Sequence, residues 1–125
     1  VGLLGHPGRG HLGASAWLSA KLGAIVGSAP HIDLQAEVAL QKLVLELARD
    51  RSLSSAHDLS EGGLAVAIAE ASLARGIGAK LQLAPLGQKL GATACLFAED
   101  PSRVLISASP EQRAALEARC ERAGV

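Results

Sequence analysis

Ser55-Ala56-His57-Asp58-Leu59-Ser60-Glu61-Gly62-Gly63-Leu64-Ala65-Val66-Ala67-Ile68-Ala69-Glu70 is the stretch from which the rest of the chain can be read. A short strand, Leu53 to His57, runs into a polar cluster and two glycines, and an Ala-rich helix then runs from about Gly63 to Ala74. Asp58 or Ser60 can cap that helix, because a side-chain oxygen there accepts from its first free N–H groups. Gly62 and Gly63 open backbone conformations closed to other residues and permit close approach to a partner. A helix start of this kind also favours anions. Two readings follow: a capped helix start with a tight turn, or a ligand-facing loop of His57, Asp58, Ser60, Glu61, Gly62 and Gly63. The polar and glycine residues after the strand outnumber what capping alone requires.

Elements can be placed on both sides of this block. Upstream, Val1–Leu4 reads as a buried strand ending at Gly5, and His6–Gly13 is glycine-rich. Ala14–Leu22 reads as a short helix broken by Gly23–Pro30. Asp33 is the expected N-cap of a helix reaching about Arg49, with Leu34, Val38 and Leu45 in a wide apolar face. Downstream, Gly76 or Gly78 ends the Ala-rich helix, and Ala79–Leu83 alternates weakly, as a strand would. Ala92–Phe97 and Arg103–Ser107 are apolar runs that suit two antiparallel strands. Ser109 followed by Pro110 opens the last helix, with Ser at the N-cap and Pro at the first helical position. Helices alternating with strands, then consecutive strands, predict an α+β domain with a mixed β-sheet packed with helices.

Composition narrows the function. The 125 residues suffice for one domain with a core, and 49% hydrophobic residues exclude a disordered tail. Twelve basic and twelve acidic side chains balance to zero, and one Trp, one Phe and no Tyr leave no stacking platform, so no nucleic-acid partner is expected. No apolar run approaches the roughly 18 residues needed to span a membrane, and no basic-then-apolar leader is visible. Cys95 and Cys120 lie far apart, which favours free thiols and a cytoplasmic setting. Neither has a neighbouring His that would make a nucleophile. The four histidines have no zinc-ligand spacing, and His6–Gly13 lacks the Lys-Ser/Thr ending of a phosphate loop. The absence of Met, a strand-like start and a Gly124-Val125 end read as a piece of a longer chain, 1–125, with its C-terminal end truncated.

The block Ser55–Glu70 closely resembles a signature of phosphoribosylformylglycinamidine synthase, the ATP- and glutamine-dependent amidotransferase of purine biosynthesis. Other stretches are similar in order: Leu4-Gly5, then His11-Leu12-Gly13 and Ser15-Ala16-Trp17-Leu18; Pro30-His31-Ile32-Asp33-Leu34; and Phe97-Ala98-Glu99-Asp100-Pro101-Ser102-Arg103-Val104. The family's synthetase portion has two related halves. Each is an ATP-domain followed by a second domain of the aminoimidazole ribonucleotide synthetase C-terminal type. His57-Asp58-Leu59-Ser60-Glu61-Gly62-Gly63-Leu64 resembles the second half's version of the block. The resemblance implies that fold, no catalytic residue and no metal ligand on this chain, and secondary ligand-facing candidates at His11, Gly13, Glu99, Ser102 and Arg103. It implies ATP and magnesium in the parent enzyme, neither held tightly by this domain alone. Its implied partners are an upstream ATP-domain and a glutaminase domain or subunit, and the excised domain would tend to self-associate. Two departures stand out: the family's Gly-Gly-Ser-Glu-Tyr is Gly13-Ala14-Ser15-Ala16-Trp17, and Pro101 removes an N–H from the loop after Glu99. They favour an alternative, a non-catalytic structural or assembly module with a decayed ligand site.

Overall fold

The computed structural model describes residues 1–73, 76–83 and 90–125. Its elements are β1 (Gly2–Gly5), α1 (Ala16–Leu22), α2 (Leu34–Arg49), β2 (Ser55–Asp58), α3 (Gly63–Leu73), α4 (Ala92–Phe97), β3 (Arg103–Ser107), a 3-10 turn (Pro110–Gln112) and α5 (Arg113–Ala123). The chain divides into two compact units, one of Val1–His6, Ile32–Asp58 and Ser102–Val125, the other of Pro7–His31 and Leu59–Pro101.

The first unit is a three-stranded sheet, ordered β1-β3-β2, with α2 and α5. β3 pairs antiparallel with both neighbours, Leu4 opposite Val104 on one side and Ala56 opposite Ile106 on the other. Side chains alternate along a strand, so Leu4, Val104 and Ile106 share one face. Leu4 and Ile106 are buried there with Leu40, Leu43 and Leu47 of α2 and Leu116 of α5. Each fully buried Leu or Ile contributes about 1.5–3 kcal/mol, so this one layer supplies most of the unit's apolar stabilisation.

Caps fix the helix ends. Asp33 caps α2 as expected, its Oδ1 accepting from Gln35 N and Ala36 N at 2.9 and 3.1 Å. α2 closes through a left-handed Arg51 (φ 59°), with Ser52 N–H donating to Leu47 O and Arg51 N–H to Ala48 O. Gly124 (φ 70°) closes α5 in the same way, as its position after a helical pattern predicts. Pro110 sits at the first position of the 3-10 turn, but Ser109 makes no side-chain cap bond. Its hydroxyl instead bonds the Glu111 carboxyl and holds it below the ordinary carboxylate range.

The second unit holds α1, α3 and α4. Ser15 caps α1, accepting from Leu18 N at 3.2 Å while its hydroxyl donates to Leu12 O at 2.6 Å. α3 packs on α4, with Leu64, Ala67, Cys95 and Ala98 buried. Gly76 (φ 63°) turns the chain after α3, its N–H donating to Leu73 O and that of Ile77 to Ser72 O. The expected end of α3 at Ala74 lies outside the described residues.

Three expectations are corrected. Ala92–Phe97 is a helix: its N–H groups turn back along the chain, Cys95 N to Gly91 O and Ala98 N to Ala94 O, which removes it as a partner for β3. Ala79–Leu83 forms no strand. With those two strands gone, the sheet of the described residues is antiparallel throughout, where a mixed sheet is expected from the sequence. The α+β class itself stands.

Candidate functional site

Gly62 and Gly63 are both left-handed (φ 79° and 61°) and buried, so the turn into α3 requires glycine. A Cβ on Gly63 would stand 2.5 Å from Ala98 O and 3.0 Å from Leu96 O. Glycine therefore lets the start of α3 lie directly on the end of α4. That approach brings Gly62 N–H to Glu99 Oε1 at 2.7 Å. The same oxygen accepts from Ala16 N, the first residue of α1, at 2.9 Å. One carboxylate thus meets the amino ends of two helices, where a negative charge is favoured. Gly63 N–H is satisfied within the turn by Ser60 O at 3.1 Å.

Asp100, buried, repeats the arrangement one residue on. Its Oδ2 accepts from Gly10 N at 2.9 Å and from His11 N at 3.4 Å. Gly8 and Gly10 are left-handed, and a Cβ on Gly8 would come within 2.7 Å of that same oxygen. The glycine-rich segment is therefore wound around a carboxylate of its own chain. The His11 ring accepts from Gly13 N at 3.4 Å, and Gly13 lies so close to Ser28 O that a Cβ would stand 2.5 Å from it. In the same unit the Trp17 and Phe97 rings lie 6.3 Å apart, with the Lys21 ammonium 6.0 Å from the Trp17 ring.

The sequence-derived candidates divide between the two units. Ser60, Glu61, Gly62, Gly63, His11, Gly13 and Glu99 belong to the second. Ser60 and Glu61 are exposed and Glu99 half-buried. His57 and Asp58 end β2 in the first unit, with His57 opposite Leu105 and its Nδ1 2.7 Å from Asp58 O. Ser102 and Arg103 are also in the first unit. Ser102, left-handed at φ 59°, donates from Oγ to Glu37 Oε2 at 2.6 Å, while Arg103 is buried at the start of β3. Glu99, rather than Asp58 or Ser60, accepts the Gly62 N–H at the head of α3.

Sequence reasoning misses Asp100 and the backbone of Ala16. It discounts Ala16 because the side chain is featureless, whereas the structure uses the N–H that every non-Pro residue carries. The available signal was the adjacent acidic pair between an apolar run and Pro101.

Among the described residues no group of three or more His, Cys, Asp or Glu could hold a metal ion. Cys95 is free and buried, and Cys120 is free with its thiol pushed up by burial, so neither is poised as a nucleophile. The residues here do not fit a phosphate grip for ATP. The backbone donors that a phosphate would need at Gly10 and Gly62 already point at Asp100 and Glu99.

Comparison with known proteins matches this architecture. The chain is 42% identical over 125 residues to the phosphoribosylformylglycinamidine synthase subunit PurL of Thermobifida fusca, covering 100% of this chain and 16% of that subunit. It is 39% identical over 123 residues to the same subunit of Zymomonas mobilis, covering 98% of this chain and 16% of the relative. The chain therefore spans 16% of the length of these relatives. Two solved structures share the fold: PurLQS from Thermotoga maritima, with TM-score 0.71, 24% identity and 97% of this chain against 19% of that one; and T. maritima PurL complexed with FGAR, with TM-score 0.72, 21% identity and 97% against 21%. The family model described as "AIR synthase related protein, C-terminal domain" matches residues 2–125, and the chain belongs to that family.

Proposed function

We propose that residues 1–125 act as one domain, the second-half C-terminal domain of a phosphoribosylformylglycinamidine synthase. The observation that carries this reading is 42% identity running the whole length of the chain to a subunit of that name. The parent would use ATP, magnesium and glutamine-derived ammonia to convert formylglycinamide ribonucleotide to its amidine in the cytoplasm. Its partners would be an upstream ATP-domain of the same polypeptide and a glutaminase domain or subunit, with no nucleic acid and no membrane. No helix among the described residues is long and apolar enough to cross a membrane. The domain's contribution would be a wall of the ligand chamber offered by the exposed Ser60 and Glu61 of the turn before α3.

The test is a graft. This chain replaces the matching segment of the Thermobifida fusca subunit, and ATP- and ammonia-dependent amidine formation is measured. Retained turnover is expected. A soluble, inactive graft, beside an active one carrying the Zymomonas mobilis segment, would overturn the reading. The chain alone should neither hydrolyse ATP nor form amidine. Turnover by the purified chain, abolished by a point change within it, would refute that.

One observation favours a second reading, a structural module with a decayed ligand site: the Gly10 and Gly62 N–H groups are consumed by carboxylates of the chain itself. On that reading the graft stays active when Ser60 and Glu61 are both replaced by Ala.

A further inference from the structure

We infer that Glu99 is the positioning residue of the turn that presents Ser60 and Glu61, acting as a built-in anion to which two helix starts are fixed. The role in presentation rests on the functional reading above; the anchoring itself does not.

Three observations converge. Glu99 Oε1 accepts from Ala16 N at 2.9 Å and from Gly62 N at 2.7 Å, donors 46 residues apart in the chain. Next to the second contact, Gly63 lies on the backbone of Leu96 and Ala98 at a distance no side chain at that position would permit. The acceptor is an anion placed at the amino ends of α1 and α3, where each N–H bond is charge-assisted and stronger than its neutral counterpart. Neither Ser60 nor Glu61 contributes to the anchor, and both are exposed. The carboxylate is supplied by the residue just after α4 and its closing residue Ala98. Besides the direct contact of Gly63 with the end of α4, one oxygen atom therefore ties the turn to the start of α1.

Amide hydrogen exchange on the chain tests the anchor. In Glu99→Ala, exchange at Ala16 and Gly62 should accelerate together by about tenfold or more, while amides in the middle of α2 stay at the wild-type rate. Added formate, a free carboxylate, should slow both amides again, whereas chloride should not. Glu99→Gln keeps a neutral acceptor of the same length and should fall between wild type and Glu99→Ala; it also serves where the Ala variant does not fold. Unchanged exchange at both amides would overturn the inference. So would acceleration spread evenly over the chain, or a response that formate leaves untouched.

The role in presentation is read in the grafted subunit. Glu99→Ala should lower turnover about tenfold or more, with Glu99→Gln and formate each restoring part of it. An active wild-type graft that tolerates Glu99→Ala at full turnover would overturn that role. An inactive wild-type graft counts against the functional reading alone, because the exchange result still decides the anchor.

Discussion

Gly63 shows how a single missing Cβ sets the geometry around it. Two costs fall on any side chain there: the left-handed backbone at φ 61° and the contact with Ala98 O at 2.5 Å. Gly63→Val should destabilise the chain by about 2–5 kcal/mol, combining left-handed strain with overpacking against backbone that cannot rotate away. Gly76 separates the two costs, since it has φ 63° and, among the described residues, nothing within 4 Å of its missing Cβ. Gly76→Ala should cost only about 1–2 kcal/mol, the backbone part alone. Equal losses for the two variants in urea melts would show that the close approach to Ala98 contributes nothing. The converse holds at Arg51, a non-glycine residue at φ 59° that is exposed at the end of α2. Arg51→Gly should stabilise by up to about 1 kcal/mol by releasing that strain, and a lower urea midpoint would contradict it.

At the scale of elements, the junction of α2 with α5 carries the clearest pH dependence. Hydrogen bonds from the Ser52 hydroxyl first, and then from the Arg119 guanidinium, hold the Asp50 carboxyl below the ordinary carboxylate range. Arg119 also reaches Glu46, at 3.8 Å. A carboxyl depressed by folding adds stability that is fully present above its unfolded value, about 3.9, and is lost as pH falls through the folded value. Stability should therefore drop on acidification below about pH 4, and Asp50→Asn should flatten part of that fall while leaving the curve above about pH 6 parallel to wild type. Thermal melts from pH 6 down to pH 2 read this directly, and an acid limb that Asp50→Asn leaves unchanged would remove Asp50 as its source. Much of this scale was legible in the sequence. Asp33, Gly124 and the apolar spacing of α2 carry local signals, and local signals suffice for helix ends and helix faces. Ala92–Phe97 was not legible as a helix, because a six-residue run with five apolar residues satisfies a buried strand and a helix segment equally well. In the site, the turn before α3 could be marked from its two glycines, but its acceptor could not. Glu99 lies 37 residues from Gly62 and 83 from Ala16, and nothing in a linear pattern joins them.

At the scale of the whole molecule, the relatives are about six times longer than this chain, and the first unit bears apolar side chains that its own core does not use. Leu34, Val38 and Leu45 on α2 are 68%, 48% and 49% exposed. Their spacing, i, i+4 and i+11, keeps them within one narrow stripe of the helix. Leu34 and Val38 also line an open groove of about 530 Å³ with Lys42, Leu43, Glu46 and Ala123. Exposed apolar side chains gathered along one helix face favour association, and in a solution of this chain the partner on offer is another copy. The chain should therefore self-associate at high concentration, its average mass in sedimentation equilibrium rising between micromolar and millimolar protein. The double variant Leu34→Glu and Leu45→Lys should suppress the rise without unfolding the chain. Both positions are exposed, and a Glu in the first turn of α2 is favoured by the helix dipole. A wild-type chain that stays strictly monomeric at millimolar concentration would show that this stripe is tolerated by solvent as it stands. Association that persists in the double variant would place the contact on a different face.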